Sequence, residues 1–420
     1  MTSNYKKIGD YIRLVDVRNR NLEVKTLLGL SISKEFIPSV ANTVGTDMAN
    51  YKIIKKGQFA CSLMQVRRDK KIPVALQIDF DEAIISQAYP VFEVVNTESL
   101  DPEYLMMWMS RSEFDRHACF LAVGGVRGSL EWDDFCDMEL PVPSIEKQRE
   151  IVREYNVVND RIALNEQLTQ KLEDTAQAIY KQWFVDFEFP ISKEYAESIG
   201  KPELEGKPYK SSGGELVMSG DSEIPTGWEH YRLEQLVDRV CVGFVGTLHS
   251  SYCREGEGVR LLRTTDLTDQ GMSYFDNKFV LPDFHKKNKK SQLKYGDVLV
   301  ARHGSNGMPV IFDRNEEANC LNVIIVKPET SRMSSKVVQV FMKSDSAVEQ
   351  VRGSLRGSVQ SVLNTKIVAA LSLSYFSETT KNYVDTSIFS TIQENIQTFR
   401  QEAELLKKME NTLLTKISKA

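Results

Sequence analysis

The chain is 420 residues long, 41% hydrophobic and 26% charged, with a net charge of −5; this ordinary globular balance allows two to three domains and more than one core. Six scattered cysteines (Cys61, Cys119, Cys136, Cys241, Cys253, Cys320) form no CxxC, and the five histidines stand at no metal-ligand spacing to them, which argues against zinc or a disulfide framework and for free thiols. No apolar run nears the roughly eighteen residues of a membrane span, and MTSNYKKIGDYIRLVDVRNRN lacks a signal-peptide core, so no membrane is expected and a cytoplasmic location is.

Residues 1–145 read as a mixed domain. The β-type runs FACSLMQV (59–66), PVALQI (73–78) and PVFEVV (90–95) sit between turn signals, and PEYLMMWMSRSEFDRHACF (102–120) reads as helical. A long helix is expected over 146–189, with Ser144 as candidate N-cap and Glu146 in its first turn. A strict 4-3 spacing picks out Ile151, Tyr155, Val158, Ile162, Asn165, Thr169, Leu172, Ala176, Ile179 and Trp183, a coiled-coil seam whose polar positions set register. Some 35 residues of it would extend about 50 Å. WFVDFEFP stops the pattern at Pro190. Residues 190–227 hold four prolines and six glycines and read as a linker.

Trp228 opens a second mixed domain, 228–376, with short strands in VRLLRTTDL, GDVLVARHGSNG and CLNVIIVKP and a helical stretch SSKVVQVFMKSDSAVEQVRG. A second long helix is expected over 377–420, its seam being Ile392, Ile396, Phe399, Ala403, Leu406, Glu410, Leu413 and Ile417. Glycine and proline are absent from 376–420, as an unbroken helix requires.

The pentapeptide VRGSL occurs at 126–130 and again at 351–355, and the features on either side follow the same order. The chain therefore reads as two diverged copies of one module. The expected fold class is mixed α/β (α+β), with two globular domains, two long helices pairing antiparallel as a coiled coil, and a pseudo-two-fold internal repeat. Alone, each helix would expose an apolar seam; paired, they make a caliper. The repeated motif suits a turn facing a phosphate backbone through Arg127, Gly128 and Ser129 in one copy, and Arg352, Arg356, Gly357 and Ser358 in the other. A purely structural turn is the alternative, and RGSV at 356–359 competes with 351–355 as the true counterpart.

Catalytic signatures are missing. There is no P-loop, and VGGVRG has the wrong glycine spacing for a dinucleotide fingerprint. No G-x-S-x-G elbow, H-E-x-x-H or Asn-Pro-Pro-aromatic tetrapeptide is present. Catalytic residues and a metal site are accordingly not expected. The net charge points away from a uniformly basic footprint, but basic residues are clustered. QVRRDKK at 65–71 has four in seven, and HKKNKKSQLK at 285–294 has five lysines and no acid. Each run alone reads more often as a solvated loop than as a DNA contact; one run per module shifts the balance toward duplex DNA, with side chains at base edges and lysines on phosphates. The candidates are Gln65, Arg67, Arg68, Lys70, Lys71, Arg127 and Ser129 in the first module. In the second they are Arg263, Lys286, Lys287, Lys289, Lys290, Arg302, His303, Ser305, Asn306, Arg356, Ser358 and Gln360.

These stretches together resemble the DNA-specificity subunit of type I restriction–modification systems over essentially the whole chain. LLGLSISKEFIPSVANTVGTDMANYKIIKKGQFACSLMQVRRDKKIPVAL is similar to one of that family's target-recognition domains. LPVPSIEKQREIV resembles the junction into its spacer helix, with Gln148 at the Gln of the family's Glu-Gln pair and Lys147 in place of the Glu. YKQWFVDFEFP and KPYKSSGGELVMSGDSEIPTGW resemble its passage into the second domain. LSLSYFSETTKNYV departs, lacking the Pro-x-Pro and the Gln.

The resemblance implies that each domain reads one half of an interrupted double-stranded DNA target while the helices set the gap. It implies two methyltransferase subunits carrying S-adenosylmethionine, and restriction (nuclease–translocase) subunits using ATP and magnesium, with no cofactor on this chain. A system whose nuclease and methyltransferase share one partner chain is an alternative. So is a coiled-coil scaffold binding protein, whose affinity would ignore DNA sequence and barely respond to salt.

Overall fold

The computed structural model describes residues 4–39, 47–125, 128–248, 250–268, 271–273, 277–302, 308–355, 362–381 and 384–419. The chain divides into two compact units, Met1–Glu166 with Arg400–Ala420, and Gln167–Phe399. In chain order, unit 1 holds β1 (Tyr5–Lys7), β2 (Ile12–Val15), β3 (Gln58–Cys61), α1 (Val66–Asp69), β4 (Val74–Leu76), β5 (Val91–Val94), α2 (Pro102–Met109), α3 (Ser112–Leu121), α4 (Trp132–Asp137) and β6 (Glu139–Pro141), and α5 (Ile145–Phe184) begins there. Unit 2 holds β7 (Trp228–Arg232), α6 (Leu233–Leu236), β8 (Val237–Val242), β9 (Val298–Ala301), β10 (Pro309–Ile311), β11 (Val323–Pro328), α7 (Ser335–Lys343), α8 (Asp345–Leu355), α9 (Thr365–Ala369) and β12 (Ser372–Phe376), and α10 (Ser387–Lys416) begins there.

The internal repeat is visible strand by strand. The central sheet of unit 1 runs β2-β5-β3-β4 and that of unit 2 runs β8-β11-β9-β10, antiparallel throughout. Even the register matches: Phe59 lies between Phe92 and Leu76, and Val298 between Val326 and Ile311. Alternate side chains of a strand point to opposite faces. Phe59, Cys61 and Phe92 accordingly join one core under α2, α3 and α4, while Ala60 and Val91 join another with Leu28, Ile54 and Ile85. In unit 2, Val298, Val300 and Val326 face α7, and Leu299, Ala301 and Ile325 face the opposite side. A sheet covered on both faces explains why these strands read as continuous apolar runs rather than alternating ones.

Each module closes on a strand pair that feeds a long helix, β1 with β6 (Tyr5 opposite Pro141) and β7 with β12 (Trp228 opposite Phe376). The helices before it start at a capped residue. The Asp101 carboxylate accepts from the Glu103 and Tyr104 amides ahead of Pro102, and the Ser334 hydroxyl accepts from the Val337 amide.

Within unit 1 the two long helices pair antiparallel. Tyr155 donates to Glu410 at 2.9 Å, and Arg161 meets Glu402 at 2.9 Å, so one helix rises as the other falls. Among the expected seam residues, Val158, Ile162 and Ile417 are buried and Ile151, Leu406 and Leu413 half-buried. In unit 2, Ile396 is buried, and Leu172, Ile179 and Phe399 are half-buried. Trp183 meets Phe389 edge-on at 5.7 Å, and Lys343 holds Glu173 at 3.0 Å.

Three expectations change. First, α5 ends at Phe184, ahead of Pro190, because Phe187 takes a left-handed φ of 59° and reverses the chain. Second, residues 190–227 are folded: Phe189 stacks between Tyr209 (4.6 Å) and Trp228 (5.3 Å), and Ile191, Ala196 and Ile224 join the core. A short helix (Lys193–Ser198) and a hairpin (Leu216–Ser219 with Ser222–Pro225) occupy the glycine- and proline-rich stretch. Third, the second VRGSL is no turn. Val351 packs on the core and α8 runs through Leu355, with Arg352 exposed on the helix. Leu363, rather than Leu355, takes the place of Leu130. Both leucines are buried two residues before a helix, and their amides donate to equivalent carbonyls, Leu130 to Leu63 at 2.9 Å and Leu363 to Arg302 at 3.2 Å. The pentapeptide identity is therefore out of register with the structural repeat.

All six cysteines are free. Among the described residues no helix is long and apolar enough to cross a membrane.

Candidate nucleic-acid interface

In unit 1 the basic run is set by where β3 ends. Its strand is shorter than FACSLMQV suggests: Cys61 is its last residue, and Gln65, in the left-handed region at φ 62°, turns the chain into α1. That turn exposes Arg67, Arg68, Lys70 and Lys71 while burying Val66. Arg67 is partly committed: its Nη1 donates to the Gly124 carbonyl at 2.9 Å and its stem lies against Gly128, where an added Cβ would meet Arg67 Cδ at 2.7 Å. A larger residue at 128 would displace the Arg67 side chain from this position. Arg68 pairs with Asp69 at 2.6 Å. Gln65 is half-buried with its Oε1 shielded and unpartnered among the described residues, and Ser129 is half-buried with its backbone bridged to Val123. The 65–71 run and Gly128–Ser129, within the described part of the first VRGSL, thus form one cluster.

A buried ion pair fastens the neighbouring hairpin (Leu28–Leu30 with Phe36–Pro38) to α3. Lys34 contacts Asp115 at 2.8 Å, both side chains under one-tenth exposed, and also donates to the Met109 carbonyl. Burial pushes the Lys34 pKa down, with Asp115 acting against it. Asp115 also accepts from the Ile72 amide at 3.1 Å, fixing the chain just past Lys71.

In unit 2 the lysines 286, 287, 289 and 290 are exposed on a segment whose underside is anchored. His285 Nδ1 bonds Asn319 Oδ1 at 2.5 Å, the fully buried Asn319 amide donates to Ser291 at 2.7 Å, and Phe284 packs edge-on to Phe244 at 5.0 Å. The run therefore sits on a five-stranded sheet built from Tyr252–Cys253, Lys278–Val280, Val259–Arg263, Ala318–Leu321 and Gln292–Leu293. Arg263 is half-buried, and its side chain donates to Asp266 at 2.7 and 3.1 Å while the Asp266 carboxylate also accepts from the Arg263 amide at 2.7 Å, which ties the side chain down to the fold. Arg302 is half-buried, and its Nε reaches the Leu363 carbonyl at 3.5 Å. Arg127, His303, Ser305, Asn306, Arg356, Ser358 and Gln360 lie outside the described residues.

Sequence reasoning passed over the apolar part of the unit 1 cluster. Phe120 is 81% exposed and Val123 67%. The signal was the helical spacing of Phe114, Ala118 and Leu121, which turns Phe120 away from the core.

No family model matches the chain. Over 151 residues it is 30% identical to the HindI type I restriction enzyme specificity subunit of Haemophilus influenzae, a match covering 36% of this chain and 32% of that protein. Over 144 residues it is 26% identical to the MjaIX specificity subunit of Methanocaldococcus jannaschii, covering 34% and 29%. Both matches span less than one third of the relative's own length. The S subunit of a type-I restriction–modification system from M. genitalium superposes with a TM-score of 0.55 at 11% identity, covering 99% of this chain and 95% of that one. The resemblance carried by the sequence motifs is thus borne out: the curated relatives of this chain are type I restriction enzyme specificity subunits, and its fold is that of a solved type I S subunit.

Proposed function

We propose that this chain is the non-catalytic DNA-recognition subunit of a type I restriction–modification complex. Each module reads one half of an interrupted duplex target, and the paired long helices set the unread gap and dock two methyltransferase subunits. S-adenosylmethionine then belongs to the methyltransferase, and ATP and magnesium to the restriction subunits that join it. The observation that carries this reading is the internal repeat: two modules with the same strand order and register, each presenting exposed cations at an anchored turn or segment. A repeated reader suits a two-part polymer target. Phosphate contacts by these lysines and arginines supply affinity, and base-edge contacts supply specificity.

The test is selection from a pool of randomised duplexes with the full chain and the methyltransferase it co-purifies with. Two short conserved blocks separated by a fixed, unread gap are expected. A single block would mean that only one module reads DNA, and no enrichment together with salt-independent binding would favour a protein-binding scaffold.

A further inference from the structure

The DNA-recognition reading leaves the exposed apolar side chains of unit 1 without a role. Scattered exposed hydrophobics need no explanation, but here three lie on segments that are tied to one another: Phe120 at 81%, Val123 at 67% and Met64 at 45% exposure. Residues next to them in the chain make the ties. Cys119 Sγ donates to the Val66 carbonyl at 3.4 Å, Leu130 N to the Leu63 carbonyl at 2.9 Å, and Arg67 Nη1 to the Gly124 carbonyl at 2.9 Å. The surroundings are cationic, with Arg67, Arg68, Lys70 and Lys71 exposed, and Arg116 one helical turn before Phe120 on the same face of α3. The nearby acids are already engaged, Asp69 with Arg68 at 2.6 Å and Glu113 with Arg116 at 3.3 Å.

An apolar knob ringed by cations is complementary to a polyanion with apolar features, and poorly suited to an apolar protein face. In duplex DNA the apolar feature presented in the major groove is the thymine 5-methyl, which side chains such as Phe contact directly. We infer that Phe120, supported by Val123, is a specificity-determining residue that reads a thymine methyl in the half-site of unit 1, while the adjacent cations hold phosphates. This rests on the DNA-recognition reading and adds to it a base class and a residue.

The test compares the full wild-type chain with Phe120→Ala and Phe120→Leu on the duplex recovered by selection, replacing each thymine in turn by uracil, which deletes only the methyl group. For the wild type, uracil at one position of one half-site weakens binding by about fourfold, the transfer value of one buried methyl-sized group, and Phe120→Ala weakens binding to the unsubstituted duplex by at least that much. Phe120→Ala is then indifferent to that uracil, Phe120→Leu keeps part of the preference, and neither changes the salt slope. Because Phe120 is exposed, both variants melt with the wild type; the uracil scan needs no variant at all. Wild-type indifference to every uracil, or equal binding by Phe120→Ala and wild type, overturns the inference while the DNA reading stands. A wild-type chain that selects no sequence overturns both.

Discussion

At the scale of single residues, the unit 1 interface depends on groups that touch nothing outside the protein. Lys34 and Asp115 are buried together, and Asp115 also holds the Ile72 amide. Removing one partner of a buried pair strands the other charge. Asp115→Ala should therefore cost about 3–5 kcal/mol in urea unfolding, whereas Lys34→Met with Asp115→Leu should cost much less, since both charges leave together. A loss for Asp115→Ala no larger than that of the double variant would show the pair to be incidental. Arg68 is different, being exposed and bonded to its neighbour Asp69. Arg68→Ala should weaken one half-site only and reduce the salt slope by about one; equal loss at both half-sites would contradict modular reading. Of these contacts, only the cations were legible in the sequence. The 65–71 run advertised its charge, but nothing local announced that Gly128 would seat the stem of Arg67, or that Lys34 would be buried instead of solvated. Those facts depend on chain segments far apart in sequence.

At the scale of elements, the long helices are held by a seam and by polar crossbars. Ile417 is 1% exposed in the same core as Val152, so Ile417→Ala should cost about 2–5 kcal/mol. Arg161→Ala, which removes an exposed ion pair, should cost no more than about 1 kcal/mol. Chemical denaturation of the two variants measures the difference, and equal losses would mean that the crossbars rather than the seam hold the pair. Arg161 and Asn165 also keep the Glu402 carboxyl below its usual range. Its contribution is therefore fully present above the ordinary carboxylate pKa of about 4.3 and is lost as pH falls through the depressed value. Comparing wild type with Glu402→Gln across acid pH should show the stability difference vanishing at low pH; a constant difference would assign the effect to shape. The 4-3 spacing made the seam readable because the helix period is local. The end of α5 was not, since Phe187 adopts its left-handed backbone in a segment held by Phe189 stacking on Trp228.

At the scale of the whole molecule, the proposed function makes the helices a ruler. Inserting one heptad into each of α5 and α10 adds about 10 Å at 1.5 Å per residue, roughly three base pairs. Selection with that variant should return the same two blocks with a gap longer by that amount. An unchanged gap would mean that something other than helix length sets the spacing.

Composition, periodicity and the repeated order of features by themselves determined that this chain is a mixed, duplicated fold with two seamed helices and clustered cations. Those properties follow from short-range rules, in which side-chain period fixes element type and charge runs stay solvated. Tertiary structure alone decided which segments are equivalent. The letters VRGSL align 126–130 with 351–355, yet burial and hydrogen bonding align Leu130 with Leu363. It also decided that 190–227 folds and that Arg263 is tied to Asp266 rather than projecting. Each is set by which surfaces remain after distant strands have paired, and no local pattern encodes that remainder.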